Sequence, residues 1–151
     1  MALTATEKPQ IKNVFEANLS RRSVRTYAPD ELDRDTVATL LEAAVRAPTA
    51  MHEEPWAFVV LQDHALLQRF SDLVNPIFIE EVRHRNAHGT SHSFDHFTKP
   101  DFNIFHGAPV FIIICAKPSS QFVSADCWLA AENLLLASSA IGLGSCVIGS
   151  A

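Results

Sequence analysis

Apolar residues follow two spacings along this chain, and the alternation between them predicts both helices and strands. Residues 10–19, and a longer segment that starts near Asp33 and stops at a proline, carry apolar residues at helical spacing. Continuous apolar runs at Trp56–Leu61 (WAFVVL), residues 110–115 (VFIIIC) and residues 145–148 (SCVI) predict three strands instead. The expected fold class is therefore α/β.

Further helices are expected from the same spacing. Asp63 is suited to cap a helix that runs through Val74, and Pro76 is suited to the first turn of a separate helix. Residues 125–140 form a strongly apolar last helix, which a Gly-Leu-Gly turn at 142–144 ends.

The number of predicted strands is small for so many apolar helices. Residues 110–115 are β-branched and apolar in a continuous run, so we expect a central strand covered on both faces. Three strands nevertheless form only a narrow sheet. We therefore expect something else to complete it: a further C-terminal segment, a second protomer, or both.

Length and composition indicate one folded domain. The chain has 151 residues, of which 48% are hydrophobic and 19% charged, values typical of a globular protein. We assign residues 10–151 to this single domain and residues 1–9 to a flexible arm. Because residues 1–10 lack an apolar core, they do not resemble a signal peptide, and the expected location is the cytoplasm. Three cysteines without a CxxC pair are expected to be reduced core thiols: Cys115, Cys127 and Cys146.

A cluster of cations stands out against an acidic background. The formal net charge is −5, which argues against a nucleic-acid or anionic-membrane partner. Yet Arg21, Arg22, Ser23 and Arg25 place three cations and a hydroxyl within five residues. Guanidinium groups bind phosphate oxygens two at a time, and serine adds a neutral donor. The cluster suits one small anion, and a solvated basic turn is the alternative interpretation.

Four segments, taken in order, resemble the FMN-dependent nitroreductase family. They are RRSVRTY at 21–27, APTAMHEEPW at 47–56, GAPVFIIICA at 107–116 and AENLLLASSAIGLGSCVIG at 131–149. The first is similar to the family's opening FMN-phosphate motif, the second to a loop that reaches the flavin, and the third to its central strand. The last is similar to its long core helix and Gly-Leu-Gly turn. The resemblance implies a three-layer fold in which helices flank a mainly antiparallel central sheet.

The resemblance also implies a function. Such proteins are homodimers with FMN at the subunit interface, and they use NAD(P)H to reduce nitroaromatics, quinones or similar conjugated acceptors by ping-pong hydride transfer through flavin N5. The cofactor carries the chemistry, so no side chain is expected to act as acid, base or nucleophile. The matching FMN-binding positions form three groups: Arg21, Arg22, Ser23 and Arg25 at the phosphate and ribityl chain; Pro48, Thr49 and Ala50 in a loop that meets the flavin bound mainly by the other subunit; and Ile148, Gly149 and Ser150, whose backbone N–H groups approach N5 and O4.

Two departures from the family pattern fall in the flavin loop. His52 stands where the family usually has Asn, and Glu54 where it usually has Gln. An ionised Glu54 only accepts hydrogen bonds, whereas His52 could donate to flavin O2, so the flavin potential or the acceptor preference could shift. The alternative is that both side chains turn away from the flavin.

The end of the chain is a further departure. Family members usually continue with another strand, basic residues that also hold the phosphate, and a tail that wraps the partner subunit. Losing one or two charge-assisted phosphate contacts would weaken FMN binding about tenfold or more. A flavin-binding protein with little turnover is therefore an alternative function.

A series of histidines supports a competing interpretation. His84, His88, His92 and His96 recur every four residues, a spacing that on a helix would align them for a metal such as Zn²⁺. The Gly, Ser and Thr residues between them disfavour a continuous helix. We expect residues 86–105 to form a polar, His-rich loop or lid over the active site, without a metal.

Overall fold

The computed structural model describes residues 11–86, 102–118 and 121–149, and it divides into two compact units. Unit 1 contains the described parts of residues 1–24, 33–59 and 113–146, and unit 2 those of residues 25–32, 60–112 and 147–151. The helices and strands follow in chain order: α1 Val14–Ser20, α2 Arg34–Val45, β1 Trp56–Leu61, α3 His64–Asn86, β2 Phe111–Ala116 and α4 Val123–Ala140. The predicted arm at 1–9 lies outside the described residues, and the single domain stays a prediction.

Side-chain caps fix where the first two helices begin. The Asn13 side chain accepts hydrogen bonds from the N–H groups of Phe15 and Glu16, and the Glu16 carboxylate accepts one from Asn13 N–H at 2.9 Å. Asp33 caps α2 by accepting from Thr36 N–H at 2.7 Å. The Thr36 hydroxyl donates to Asp33 as well. Both bonds hold the pKa of Asp33 below its usual value, and the one from the Thr36 backbone has the larger effect. The predicted start of the second helix near Asp33 is confirmed.

The long helix α3 differs from its prediction. Asp63 caps it as expected, accepting from Leu66 N–H at 3.0 Å. The prediction that Pro76 begins a separate helix is wrong, because α3 continues through it to Asn86. Proline removes the donor that would bond the carbonyl of Asp72, but both residues are exposed, so water can satisfy that carbonyl. The packing contacts on the buried side of α3 therefore determine the length of the helix, and the proline does not end it.

In unit 2, α3 packs against the segment at 102–107. Leu67 forms a buried cluster with Phe102, Ile104 and Phe105. The hydroxyl of Ser71, which is fully buried, accepts from Ile104 N–H at 3.1 Å. One turn further along α3, Asn75 donates through Nδ2 to Phe102 O at 2.5 Å. Side chains at helical spacing therefore fix both the apolar and the polar contacts of this segment.

In unit 1, small residues let α4 approach its neighbours closely. Ala44 of α2 and Ala130 of α4 are fully buried and pack together with Ala47. Asn133 Nδ2 donates to Ala43 O at 3.0 Å and joins α4 to α2. On the α1 side, the hydroxyl of Ser139 donates to the carbonyl of Ala17 at 3.2 Å. The Asn133 amide and the Ser139 hydroxyl of α4 are thus paired with main-chain carbonyls of α2 and α1.

The strands confirm a mainly helical α/β fold with an antiparallel sheet, although a smaller one than predicted. β1 and β2 pair with each other, and Lys117 N–H extends the ladder to Pro55 O at 2.8 Å. The third predicted strand, 145–148, is reduced to a parallel bridge between Ser145 and Ser23. In the structure, β2 is half-buried to exposed, so its predicted cover on both faces is wrong. Within the described chain, Phe111 of β2 packs against the buried cluster that contains Leu67 and Phe105.

The cysteines are free thiols, as expected, but they are not core residues. Cys115 is exposed, whereas Cys127 and Cys146 are half-buried. Burial raises the pKa of the Cys127 thiol, and the nearby charges of Asp126 and Cys115 raise it further. No helix in the described ranges is both long and apolar enough to cross a bilayer.

Candidate functional site

The basic segment at 21–25 is held in place by the turn that follows α4. Ser23 forms the bridge with Ser145, and Val24 N–H donates to Ser145 O at 3.0 Å. A glycine is required where the two backbones meet, because a Cβ on Gly144 would lie 2.9 Å from both methyl carbons of Val24. The predicted Gly-Leu-Gly turn therefore does position Arg21–Ser23, within unit 1.

The turn itself has a helix-ending geometry. Gly142 adopts a φ of 84°, and the N–H groups of Gly142 and Leu143 bond to the carbonyls of Ser139 and Ser138 at 3.2 and 2.8 Å. A left-handed residue at this position satisfies the last carbonyls of the helix and turns the chain sharply. The chain is thereby directed from α4 to the basic segment.

Three cations surround a depression of about 250 Å³ beside this turn: Lys12, Arg21 and Arg22. No carboxylate lines it among the described residues; Ser20, Ser139, Ser145 and the glycine turn contribute to its wall. Arg22 Nη1 donates to Leu19 O at 3.4 Å and to Arg21 O at 3.2 Å, while Lys12 Nζ donates to Ser20 Oγ at 2.9 Å. Within the described ranges, the half-buried Arg21 guanidinium has no hydrogen bond or ion pair, so it is available to bind an anion.

Lys12 was missed by the sequence analysis. It belongs to no motif and precedes the basic segment by a whole helix. Its backbone N–H donates to Ala140 O at 3.0 Å, which fixes the residue at the end of α4. The fourth predicted phosphate ligand, Arg25, belongs to unit 2, where its side chain is exposed and forms no hydrogen bond or ion pair with the described residues.

The predicted flavin loop has an unusual backbone. Met51, His52 and Glu54 have φ values of 57°, 55° and 43°, in the left-handed region that residues other than glycine rarely occupy. Each such residue costs about 1–2 kcal/mol. Thr49 precedes them in an extended conformation, and Glu53 N–H donates to Ala50 O at 3.3 Å. Such strain persists only where the surrounding structure imposes it.

Asp126 of α4 provides a tertiary tether for this loop. Its Oδ1 accepts from Ala50 N–H at 3.1 Å, and only 3% of the residue is exposed. Its Oδ2 is buried and has no hydrogen-bond partner among the described residues. No sequence motif contains Asp126. An acidic residue in the first turn of an otherwise apolar helix was the available signal.

The two substituted loop positions, His52 and Glu54, are exposed. Neither side chain forms a hydrogen bond or ion pair within the described part of the chain. Pro48 is exposed as well, whereas Thr49 and Ala50 are half-buried. The loop therefore presents the side chains of His52 and Glu54 to solvent, while the main chain at Ala50 is bonded to α4.

The last predicted positions belong to unit 2. Ile148 is half-buried and packs against the cluster of Leu67, Ile104 and the two phenylalanines. Gly149 is exposed, and a Cβ added to it would meet nothing within 4 Å, so its main chain is open to a ligand. Ser150 lies outside the described residues.

The histidine series is only partly described. His84 lies on α3, where its Nε2 is 3.4 Å from a Glu80 carboxylate oxygen. His88, His92 and His96 lie outside the described residues, as does most of the predicted lid at 86–105. The end of that segment is described, and there the prediction of a polar loop is wrong, because Phe102, Ile104 and Phe105 are buried. Within the described ranges, no three His, Cys, Asp or Glu side chains are grouped to hold a metal.

Comparisons with known proteins agree with the sequence motifs. A model of the nitroreductase family matches residues 19–151. A Methanothermobacter thermautotrophicus protein, provisionally named NADH dehydrogenase/NAD(P)H nitroreductase, is 31% identical over 137 residues, which cover 88% of this chain and 59% of that protein. An iodotyrosine deiodinase from Thermotoga neapolitana is 26% identical over 138 residues, 89% of this chain and 73% of its own.

A solved structure shows the same likeness in three dimensions. A Bacteroides fragilis nitroreductase with bound FMN matches with a TM-score of 0.74 and 27% identity, covering 92% of this chain and 71% of the other. These findings confirm the resemblance and the fold class predicted from the four segments. The chain nevertheless spans only 59% of the Methanothermobacter protein.

Proposed function

This chain belongs to the nitroreductase family, and from that premise we propose that it is an FMN-dependent oxidoreductase that uses NAD(P)H to reduce conjugated organic acceptors such as nitroaromatics and quinones. The observation that carries the proposal is the docking of the basic segment on the glycine turn through Ser23 and Ser145. It joins two of the four family segments at one place. Bound FMN would supply the hydride chemistry, since the flavin and not a side chain changes redox state.

The basic depression fits a phosphate group. Arg21 has an unpaired guanidinium within the described ranges, and Lys12 and Arg22 add positive charge at its rim. Serine hydroxyls in the same wall can donate to phosphate oxygens. Because the chain as a whole carries a charge of −5, this local excess of cations favours one small anion over a polyanion. We assign the FMN phosphate to Arg21, Arg22 and Ser23. Arg25, which belongs to unit 2, stays a prediction of the sequence motif alone.

The flavin ring would be bound by main-chain groups of two further segments. The main chain at Gly149 is open, so its N–H and that of Ile148 can approach flavin N5 and O4. The loop from Pro48 to Ala50 is assigned to the ring edge of the FMN bound mainly by the other subunit of a homodimer, with His52 and Glu54 nearest to its pyrimidine. NAD(P)H and the acceptor would occupy the same space in turn, which predicts ping-pong kinetics.

A homodimer is part of the proposal. Unit 1 exposes large apolar side chains on α1 and α4 that a second copy would cover. These side chains are between 44% and 79% exposed: Val14, Phe15, Leu19, Trp128 and Leu129. Burial of such a surface is the main source of stability in permanent dimers.

A visible-absorbance experiment tests the proposed function. Purified protein reconstituted with FMN should absorb at flavin wavelengths, lose that absorbance anaerobically with NADH or NADPH, and regain it when a nitroaromatic or a quinone is added. A protein that binds FMN but is not bleached by either nucleotide would instead support the alternative of a flavin-binding protein with little turnover. A protein that binds no FMN would overturn the proposal.

The deiodinase relative favours one additional acceptor class. An enzyme that is 26% identical over 138 residues acts, by its name, on an iodinated aromatic amino acid. Reductive removal of halide from a haloaromatic compound is therefore a second candidate activity for the same site. Including 3-iodotyrosine in the reoxidation assay distinguishes the two, because deiodination releases iodide and nitro reduction does not.

A further inference from the structure

Asp126 is a buried carboxylate for which the fold provides only half of the expected partners. Its residue exposure is 3%, and its Oδ1 accepts from Ala50 N–H at 3.1 Å. Its Oδ2 is buried without a hydrogen-bond partner in the described part of the chain. Burying a carboxyl group with one oxygen unpaired is unfavourable, so an apolar residue would serve stability alone better here.

The segment that Asp126 contacts is the strained one. Ala50 is followed directly by Met51 and His52, and then by Glu54, and all three have positive φ. Within the described ranges, no other hydrogen bond joins residues 49–54 to a separate element; the bond from Glu53 N–H to Ala50 O closes the loop on itself. The carboxylate therefore holds the loop at the point where its left-handed stretch begins.

We propose that Asp126 is a positioning residue for the flavin loop. Its carboxylate fixes the main chain of Ala50 and so keeps residues 51–54 in one strained conformation before FMN binds. A loop that is already ordered loses less conformational freedom on binding, and this favours affinity. The assignment rests on the proposed function, in which this loop meets the flavin, but the tether itself can be measured without any ligand.

The test compares Asp126→Ala with Asp126→Asn in the full chain. The alanine variant removes the acceptor, so exchange of the Ala50 amide hydrogen, measured without FMN, should become about tenfold faster. FMN should bind about tenfold more weakly. The asparagine variant keeps a carbonyl oxygen at Oδ1, so both values should return to within about twofold of wild type.

A control on the same helix separates positioning from general loss of stability. Asn133→Ala removes the hydrogen bond between α4 and Ala43 and leaves the loop contact in place. It should lower the melting temperature without changing exchange at Ala50. Faster exchange at Ala50 in Asp126→Ala with an unchanged rate in Asn133→Ala therefore separates loss of the tether from a general loss of stability.

The possible outcomes are distinct. Unchanged exchange and FMN affinity in Asp126→Ala would overturn the proposal, as would equally fast exchange in Asn133→Ala. If Asp126→Asn also showed fast exchange at Ala50 and weak FMN binding, the hydrogen-bond account would be overturned, because that variant keeps the carbonyl oxygen and differs mainly in charge. Wild-type protein that binds no FMN would overturn the proposed function and the flavin role of Asp126 together, while the exchange data would still report whether the tether exists.

Discussion

Gly144 and Val24 are in such close contact that position 144 has no room for a side chain. A Cβ there would lie 2.9 Å from both methyl carbons of Val24 and 3.0 Å from its Cβ. Since Val24 N–H also donates to Ser145 O, any shift of Val24 moves the segment that carries Arg21 and Ser23. This contact therefore links the glycine turn to the proposed phosphate site.

Gly144→Ala should weaken FMN binding through this contact. Overpacking of this kind costs about 1–3 kcal/mol, and part of that cost would appear as displacement of the basic segment. The double variant Gly144→Ala/Val24→Ala removes the two methyl carbons that cause the clash, so it should recover part of the lost affinity. Fluorescence titration with FMN measures the affinity of both variants. A double variant that binds FMN no more tightly than Gly144→Ala would contradict this mechanism.

Removing the charge of Arg21 should largely strip the flavin. Its guanidinium is unpaired within the described ranges, so its loss breaks no structural bond. Loss of one charge-assisted phosphate contact of about 1.5–3 kcal/mol would weaken FMN binding roughly ten- to a hundredfold in Arg21→Ala. The FMN affinity of Arg21→Lys should lie between those of wild type and Arg21→Ala, because lysine keeps the charge but lacks the planar guanidinium group.

Arg46→Ala is the matched control for this charge. Arg46 ends α2 and pairs with Glu42 at 3.3 Å on the surface, with both side chains well exposed. Its removal changes the net charge by the same amount as Arg21→Ala and should leave the FMN dissociation constant within about twofold of wild type. Equal losses in the two variants would indicate a general charge effect. Full retention of FMN in Arg21→Ala would contradict the phosphate assignment.

Features that depend on neighbouring residues could be predicted from the sequence. The cap at Asp33 and the apolar runs of β1 and α4 lie within single elements, and the structure confirms them to within a few residues. The prediction of a third strand at 145–148 was wrong because the pairing of this segment depends on Ser23, near the other end of the chain. Asp126 was missed for the same reason, since its partner Ala50 is 76 residues away.

A polar contact in unit 2 predicts a loss of stability that is independent of the cofactor. Ser71 is fully buried, and its hydroxyl accepts from Ile104 N–H. Ser71→Ala leaves that N–H buried without a partner and should lower the free energy of unfolding by about 1–3 kcal/mol. Urea unfolding, monitored by circular dichroism, measures this change in the free energy of unfolding. Gln68→Ala, which removes an exposed contact with Asn103 from the same helix, should cost no more than about 0.5 kcal/mol.

The two loop substitutions predict separate changes in stability and in flavin potential, and a single double variant tests both. His52 has a φ of 55°, and asparagine tolerates this left-handed conformation better than histidine. His52→Asn/Glu54→Gln should therefore be more stable by a few tenths of a kcal/mol to about 1 kcal/mol. If Glu54 lies near the flavin pyrimidine, its negative charge disfavours reduced flavin by on the order of 1 kcal/mol, and removing that charge should raise the midpoint potential. A higher melting temperature with an unchanged potential would show that both side chains turn away from the flavin and that the substitutions affect only the backbone of the loop.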